Sequence, residues 1–280
     1  MNWFIAALFA GLFFASSRII SRFALRKNGN PLAYTALHDL TAGLILIPFL
    51  LFDFTFPSQV IPWIFFGITT FFLFLTDYLT FKSIQLIDIS LYQILIQVRH
   101  IVVLFGGLLL FSEQITLPKM FAILLIILGA IIALYKKSKF DWSKGIVYAI
   151  LAGLCASIAF LASKTALNGF SNTTFASFVL IGIGLISFAF MKFDDKKIIY
   201  EFKINSWKIL IAAVLFGGFE LLQFLAIKIG EVSKAIPVIQ ISLVFAVIGG
   251  IVLLKEYDRL IQKIIGMILI IAGIIIMNIL

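Results

Sequence analysis

The residues best suited to chemistry in this sequence are charged side chains inside long apolar segments. Arg99 and His100 lie at the middle of a segment near 88–111, and Glu220 lies about 4–5 Å from the middle of one near 206–228. A charge near the centre of a bilayer costs at least about 2.5–3.5 kcal/mol, so it normally faces a partner or a water-filled cavity. These positions therefore predict a polar cavity within an apolar bundle.

Further polar residues belong to the same set. His38 and Asp39 lie near the middle of the second segment, and Asp77 and Arg18 lie about 6–9 Å from the centres of theirs. Asp77 or Glu220 could bind a cationic group or carry a coupling proton, and the arginines or His100 could hold a carboxylate or phosphate. Internal ion pairing, for example of Arg18 with Asp39, is the alternative. The candidates for substrate or proton binding are Asp77, Glu220, Arg99, His100, His38, Asp39, Arg18, Gln97 and Gln240.

Composition places the whole chain in a membrane. The mean hydropathy is +1.16, and 62% of the residues are apolar while 12% are charged, whereas soluble domains carry about 25% charged residues. The apolar residues form segments of about 20, the length that a helix needs to cross a bilayer. Ten such segments can be marked, near 2–25, 32–52, 60–82, 88–111, 117–135, 144–167, 172–191, 206–228, 232–254 and 260–279.

Residue counts argue against several other functions. The single cysteine, Cys155, excludes an internal disulfide and a thiolate cluster, and two histidines do not favour a metal site. The net charge of +9 lies mostly in short connections, as in membrane proteins, so we expect no nucleic-acid partner. The sequence has no phosphate-binding loop for ATP. We predict no cofactor, no metal and no enzymatic activity.

The chain matches itself at an offset of 143 residues. Polar and glycine positions coincide: Asp77 with Glu220, Gln97 with Gln240, Gly106 and Gly107 with Gly249 and Gly250, and Glu113 with Glu256. Matched glutamine, glycine and glutamate residues at one offset indicate an internal duplication. We predict two five-helix repeats, at 1–140 and 141–280, in an all-α membrane protein.

An odd number of helices requires the second repeat to be inverted in the membrane, and the charges agree. Basic residues concentrate in alternate connections, which form one face of the bundle, the basic face: Arg22, Arg26, Lys27, Lys82, Lys136, Lys137, Lys139, Lys144, Lys192, Lys196, Lys197, Lys203, Lys208, Lys255, Arg259 and Lys263. The opposite face carries Lys119, Lys164, Lys228 and Lys234. The positive-inside rule then predicts both termini outside the cytoplasm. Inverted repeats are typical of secondary transporters, whose site lies near the midplane between the halves.

The sequence resembles the drug/metabolite transporter superfamily, in particular its ten-helix EamA-type exporters. Residues 12–17, followed by Arg22, resemble the Trp-Gly-Ser segment of that family, with Phe14 and Ala15 in place of the Trp and Gly. Each half also ends with its matched glutamate and then a helix that has a small-residue step near its end. The resemblance covers nearly the whole chain. Three further positions differ from the family pattern: His38 replaces an arginine, and His100 and Leu243 replace prolines.

The resemblance implies a transporter, most often an exporter of amino acids, other small metabolites or drugs. We therefore predict a secondary transporter that works by alternating access and is driven by the proton gradient. A flippase for a lipid-linked substrate is the alternative, and a membrane-embedded enzyme is less favoured. The expected partners are a small-molecule substrate, protons and the lipid bilayer, with the protein a monomer or homodimer. We expect a multi-pass protein of a prokaryotic plasma (inner) membrane.

Overall fold

The computed structural model describes residues 2–24, 30–84, 86–87, 89–134, 144–254 and 260–279. Within these ranges the chain forms α-helices and one short 3₁₀ helix at Ile47–Leu51. The α-helices are α1 (Trp3–Ala24), α2 (Pro31–Leu46), α3 (Val60–Ile84), α4 (Ile89–Leu95), α5 (Val98–Phe111), α6 (Leu117–Leu134), α7 (Lys144–Ala166), α8 (Asn172–Phe190), α9 (Asp195–Ile229), α10 (Val232–Val238), α11 (Ile241–Leu254) and α12 (Leu260–Ile279).

These helices make ten membrane spans. In the described part of the chain, ten helical stretches are long and apolar enough to cross a bilayer. Seven spans are built on single helices, and the second continues from α2 into the 3₁₀ helix. The fourth and ninth each combine two α-helices, α4 with α5 and α10 with α11. The predicted all-α fold of ten spans in two five-helix repeats is confirmed. Asp88 and Glu256 lie outside the described residues.

The packing of the helices follows the duplication. α1 packs on α9, and the equivalent pair α7 and α3 also packs together. α2 packs on its own counterpart α8, and α6 packs on its counterpart α12. Each of these pairs joins one half to the other. The halves therefore form one bundle around a common pseudo-two-fold axis, as an inverted repeat requires.

The fourth and ninth spans are interrupted at equivalent points, around Gln97 and Gln240. At both points backbone N–H groups donate to the carbonyl three residues earlier, which tightens the chain into a 3₁₀ turn. In the fourth span these bonds run from Gln97 N to Ile94 O (3.2 Å), from Arg99 N to Ile96 O (3.2 Å) and from His100 N to Gln97 O (3.0 Å). In the ninth span the matching bonds run from Gln240 N to Pro237 O (3.0 Å), from Ser242 N to Ile239 O (3.0 Å) and from Leu243 N to Gln240 O (2.9 Å). The backbone conformation is therefore duplicated at the same offset as the sequence.

The position of these interruptions differs from what Pro237 suggests in the sequence. A proline frees carbonyls about one turn earlier, near Ser233, yet α10 continues to Val238 and the turn follows it. The fourth span has the equivalent turn with Ile94 in the place of the proline. Proline alone is therefore not the cause of the interruption.

Two glycines hold the first helix of each half against the interrupted span of the other half. A Cβ on Gly11 of α1 would lie 2.8 Å from the Ile239 carbonyl oxygen, and one on Gly153 of α7 would lie 3.1 Å from the Ile96 carbonyl oxygen. Such close approach of backbones needs a residue without a side chain. The two interruptions thus lie where the halves cross.

α9 is longer than the sequence predicts. The polar stretch 192–206 reads as a connection, but the helix begins at Asp195 and runs for 35 residues. Lys192 and Phe193 turn the chain before it with φ of 57° and 56°. Glu201 and Asn205 are buried, and Glu201 accepts a hydrogen bond from the Asn30 backbone N–H at 3.2 Å. This contact with the start of α2 stabilises the extra turns.

The glycine crossings predict a specific sensitivity. Gly11→Ala should destabilise the protein by about 1–3 kcal/mol, because the new methyl group meets backbone atoms that cannot move away. Gly67→Ala is the matched control, since nothing lies within 4 Å of a Cβ there, and it should be neutral or stabilising by up to about 1 kcal/mol. Thermal unfolding of the purified variants measures both. Equal effects of the two substitutions would contradict the crossing.

Candidate functional site

A polar cleft lies between the two halves, towards the basic face. Its walls come from α1, α2 and α3 of the first half and from α9 of the second. The lining residues are Ser17, Arg18, Ser21, Tyr34, Thr35, His38, Asp39, Asp77 and Phe216. Four of the residues predicted from the sequence, Arg18, His38, Asp39 and Asp77, are therefore brought together.

Arg18 is the cation of this cleft. Its Nη2 lies 3.9 Å from Asp77 Oδ1, so the pair is long, and its side chain is 40% exposed. The guanidinium also lies over the ring of Phe14 at 4.9 Å and that of Phe216 at 5.9 Å. The rings orient the arginine, and most of its N–H donors remain available for a carboxylate or phosphate. The partner in the structure is Asp77, whereas the sequence suggested Asp39 as an example.

His38 and Asp39 form the opposite wall. Asp39 Oδ1 lies 2.7 Å from His38 Nδ1, and the imidazole stacks on Tyr34 with ring centres 5.5 Å apart. Within the described residues, His38 Nε2, Asp39 Oδ2 and Thr35 Oγ1 are buried and have no hydrogen-bond partner. Buried polar atoms are almost always satisfied by protein, water or ligand. These three atoms mark where a bound molecule or water would be held.

Glu220, on α9 of the second half, is not among the residues that line the cleft, but it is a third carboxylate close to them. It is buried, accepts a hydrogen bond from Gln223 Nε2 at 3.1 Å and interacts electrostatically with Asp77 and Asp39. If Asp39, Asp77 and Glu220 are ionised and the histidines are neutral, there are three negative charges. They exceed the two positive charges of Arg18 and Arg99 by one. A proton or a cationic group of a substrate would balance this charge.

Gln97 and Gln240 meet at the interrupted spans. Gln240 Nε2 donates to Gln97 Oε1 and lies 2.8 Å from His100 Nε2. Gln97 Nε2 donates to the Gln93 carbonyl oxygen at 3.1 Å, which the 3₁₀ turn has released from its helical partner. These matched glutamines could bond to a substrate or to each other, and the structure favours the hydrogen bond between the halves.

His100 and Arg99 lie beside this junction. An acceptor role for His100 Nε2 requires the proton on Nδ1, and Nδ1 has no hydrogen-bond partner among the described residues. Arg99 interacts electrostatically with Tyr92, whose hydroxyl lies 2.6 Å from Thr80 Oγ1. Neither Arg99 nor His100 belongs to the residues that line the cleft.

The end of the bundle opposite the basic face is closed around the start of α10. Glu113 Oε1 accepts from the Val232 backbone N–H at 2.8 Å, and Oε2 accepts from the Ser233 backbone N–H at 3.2 Å and from the Ser233 hydroxyl. A carboxylate at a helix N-terminus satisfies N–H groups that have no partner within the helix. Glu113 of the first half therefore holds the ninth span of the second.

The end of α5 aims Glu113 at this target. Ser112 adopts a left-handed conformation with φ of 54°, and the Glu113 N–H donates back to the Gly107 carbonyl oxygen at 3.1 Å. This bond spans six residues, one more than the corresponding bond of a Schellman turn, and together with the left-handed Ser112 it closes the end of α5. A Cβ on Gly107 would lie 2.5 Å from Glu113 Oε2, so the glycine leaves room for the carboxylate.

Lys119 completes the closed end, and sequence reasoning missed its role. Its side chain is 1% exposed, and Nζ donates to Glu231 Oε2 at 2.5 Å and to the Gln114 carbonyl oxygen at 3.1 Å. Lys234 Nζ lies 3.0 Å from the other oxygen of Glu231. The signal in the sequence was weak, because these residues are simply the few charges of the less basic face. We call Glu113, Lys119, Glu231, Ser233 and Lys234 the closing cluster.

Residues 1–135 and 143–279 each match the model of the EamA-like transporter family. The chain belongs to the EamA-like transporter family. One solved structure, described only as the crystal structure of a protein, has a TM-score of 0.77 and 13% identity, and the match covers 99% of this chain and 98% of that one. At this identity the likeness concerns the fold. No curated protein matches the chain.

Family membership confirms the resemblance of the sequence. EamA proteins are transporters of the drug/metabolite type, so this chain is a multi-pass membrane transporter with a small-molecule substrate. The match in two halves agrees with the duplication at 143 residues that the Gln97–Gln240 bond spans. The repeat boundaries at residues 140 and 141 stay a prediction.

The glutamine junction predicts a coupling between the halves of this EamA transporter. Gln97→Leu or Gln240→Leu alone should cost about 1–3 kcal/mol of unfolding free energy, because each leaves a buried partner without its hydrogen bond. The double variant should cost less than the two single costs combined, by about 0.5–3 kcal/mol. Denaturant unfolding of the three variants and the wild type closes this cycle. Strict additivity would show that the bond contributes nothing.

The closing cluster predicts a dependence of stability on pH. Partial burial raises the pKa of Glu231, but hydrogen bonds from Lys119 and Lys234 outweigh it and hold the pKa below its ordinary 4.5. A depressed pKa stabilises the fold above pH 4.5 and stops doing so as pH falls through the folded value. The unfolding temperature should therefore fall more between about pH 6 and pH 3.5 in the wild type than in Glu231→Gln. Asp195→Asn, an exposed control, should behave like the wild type.

Proposed function

We propose that this protein is a proton-coupled exporter of small metabolites, such as amino acids or drug-like compounds, that works by alternating access. The observation that carries the proposal is the cleft between the halves, where a partly engaged arginine faces more carboxyl groups than the cations there can neutralise. Structural ion pairing alone gives no reason for such a surplus. A transport site does, because its charges must accommodate a substrate that comes and goes.

The cleft suits a small molecule with an acidic group and an apolar or aromatic body. In the described part of the chain, Arg18 is held on one wall by a long ion pair to Asp77, and Asp39 Oδ2 and His38 Nε2 have no hydrogen-bond partner on the other. The rings of Tyr34 and Phe216 flank the histidine. A few polar groups on an aromatic wall are typical of sites for small organic ligands. The third carboxyl would accept an ammonium group or a proton.

Proton coupling would use the carboxyls that come from both halves. Asp77 and Glu220 occupy equivalent positions in the repeats and interact electrostatically. A carboxyl in a substrate site can carry one proton across the membrane and release it on the other side. Substrate with a positive group would displace that proton. Exchange of a proton for substrate at one site is sufficient for antiport.

The two ends of the bundle suit alternating access. The cleft lies towards the basic face, by the end of α1 and the start of α2, while the closing cluster joins the two halves by paired charges at the opposite face. The positive-inside rule predicts the basic face in the cytoplasm and both termini outside it. With this orientation, in a prokaryotic plasma membrane, the cleft would load its substrate from the cytoplasm. This is the loading step of an exporter.

The assignment is tested by neutralising the matched carboxyls. We expect Asp77→Asn and Glu220→Gln to lose transport driven by a pH gradient, since neither amide can carry the coupling proton. Substrate exchange without a gradient should be partly retained. Proteoliposomes with a panel of labelled amino acids and cationic drugs provide the assay, and Asp195→Asn serves as the control because it neutralises an exposed carboxyl at the start of α9.

Two results would contradict the proposal. Wild-type activity of both variants under a gradient would remove the proton role from Asp77 and Glu220. Absence of uptake and of counterflow for the whole panel, with and without a gradient, would contradict export of these substrates.

A further inference from the structure

The first turns of α9 lie at or beyond the edge of the membrane. The helix has 35 residues, so at 1.5 Å per residue it is about 52 Å long, whereas the hydrocarbon core is about 30 Å thick. Measured back from Ile229, a helix that crosses upright reaches the far edge of the core near Trp207. Residues 195–206 therefore lie among the headgroups of the basic face and just outside them.

One side of these turns carries lysine and aromatic side chains alternately. Lys196, Tyr200, Lys203 and Trp207 recur every three or four residues, which places them on one face of the helix. All four are exposed, Tyr200 by 53% and Trp207 by 63%. We call these four residues the lysine–aromatic stripe. Large apolar neighbours are exposed beside it, namely Ile199, Phe202 and Ile204.

The polar residues of the same turns point the other way. Glu201 is 1% exposed, and its two oxygens accept hydrogen bonds from Asn205 Nδ2 at 2.9 Å and from the Asn30 N–H at 3.2 Å. The negative charge of Glu201 is thus withdrawn into the bundle, and Asp195, the other carboxylate of residues 195–206, is exposed at the start of the helix. Lys197 is paired with Asp194 at 3.0 Å, but Lys196 and Lys203 form no ion pair in the described part of the chain.

We infer that the lysine–aromatic stripe binds the headgroups of anionic phospholipids. An apolar face this exposed is unfavourable in water but suits the boundary between headgroups and acyl chains, where tryptophan and tyrosine concentrate. The lysines at the same level match lipid phosphate and an additional negative headgroup charge. A second copy of the chain fits less well, because a symmetric contact would bring the same lysines together.

The helix α9 links this lipid contact to the cleft. α9 also carries Phe216 and Glu220, and Glu201 ties its first turns to the start of α2. Lipid bound at the stripe therefore holds the helix that forms the second-half wall of the cleft. The inference does not depend on which substrate the cleft takes.

The experiment compares lipids and matched lysine variants of the purified full chain. Short-chain phosphatidylglycerol or phosphatidylcholine is titrated into detergent micelles, and the unfolding temperature reports binding. Phosphatidylglycerol should raise the unfolding temperature of the wild type, and Lys196→Gln/Lys203→Gln should weaken its apparent affinity roughly tenfold. Lys82→Gln/Lys144→Gln removes the same charge from exposed lysines of the same face and should leave the affinity unchanged. Soluble glycerol phosphate should have little effect, which separates a lipid surface from a site for free phosphate.

Three results would overturn the inference. The first is equal stabilisation by the two lipids. The second is an equal loss of affinity in the two double variants. The third is an intermolecular disulfide from Trp207→Cys, in a Cys155→Ser background under mild oxidation in proteoliposomes, because it would show that a second copy covers the stripe.

Discussion

The hydrocarbon core of a bilayer offers no hydrogen bonds, so a membrane protein must satisfy every polar backbone group internally. This EamA transporter interrupts two of its spans under that constraint. At Gln97 and Gln240 the backbone tightens into 3₁₀ turns, the Gln97 amide occupies the carbonyl that the turn releases, and the two amides bond to each other. Both interruptions are possible because each lies where the first helix of the other half crosses, at Gly11 and Gly153.

Features that the two repeats share form the scaffold, and residues that differ between the repeats form the site. Backbone bonds, glycine crossings and the glutamine junction are shared by both halves. The charges are not: Arg99 and His100 correspond to Ser242 and Leu243 in the repeat, and Arg18 comes from the first half alone. A symmetric site would place like charges opposite each other. The observed asymmetry brings a guanidinium, an imidazole and carboxyls of both halves into one region.

Hydropathy and the 143-residue offset were sufficient to predict the ten spans and their repeat, because bilayer thickness fixes helix length. Features set by contacts between helices were not predictable in the same way. The turn at Gln97 has no proline to signal it, and the first turns of α9 read as a loop because their polar residues are satisfied by a distant contact with Asn30. Charge in the middle of the membrane identified the cleft residues. Only the fold shows that Arg18 and Asp77 line the cleft and that Arg99 does not. Repeat boundaries and orientation rest on the sequence alone.

The two ends of the bundle differ in a way that bears on the transport cycle. In the closing cluster Lys119 lies between carboxylates of both halves. Removing one partner of a buried ion pair strongly destabilises a protein, because the other charge stays buried without compensation. At the offset of the repeat, Lys119 corresponds to Gln262, whose amide donates to the Ile132 carbonyl oxygen at 2.6 Å. At the equivalent position, the basic face therefore has the neutral amide of Gln262 in place of a lysine. If the halves alternate as proposed, this difference in ion pairing gives the two states of the bundle different energies.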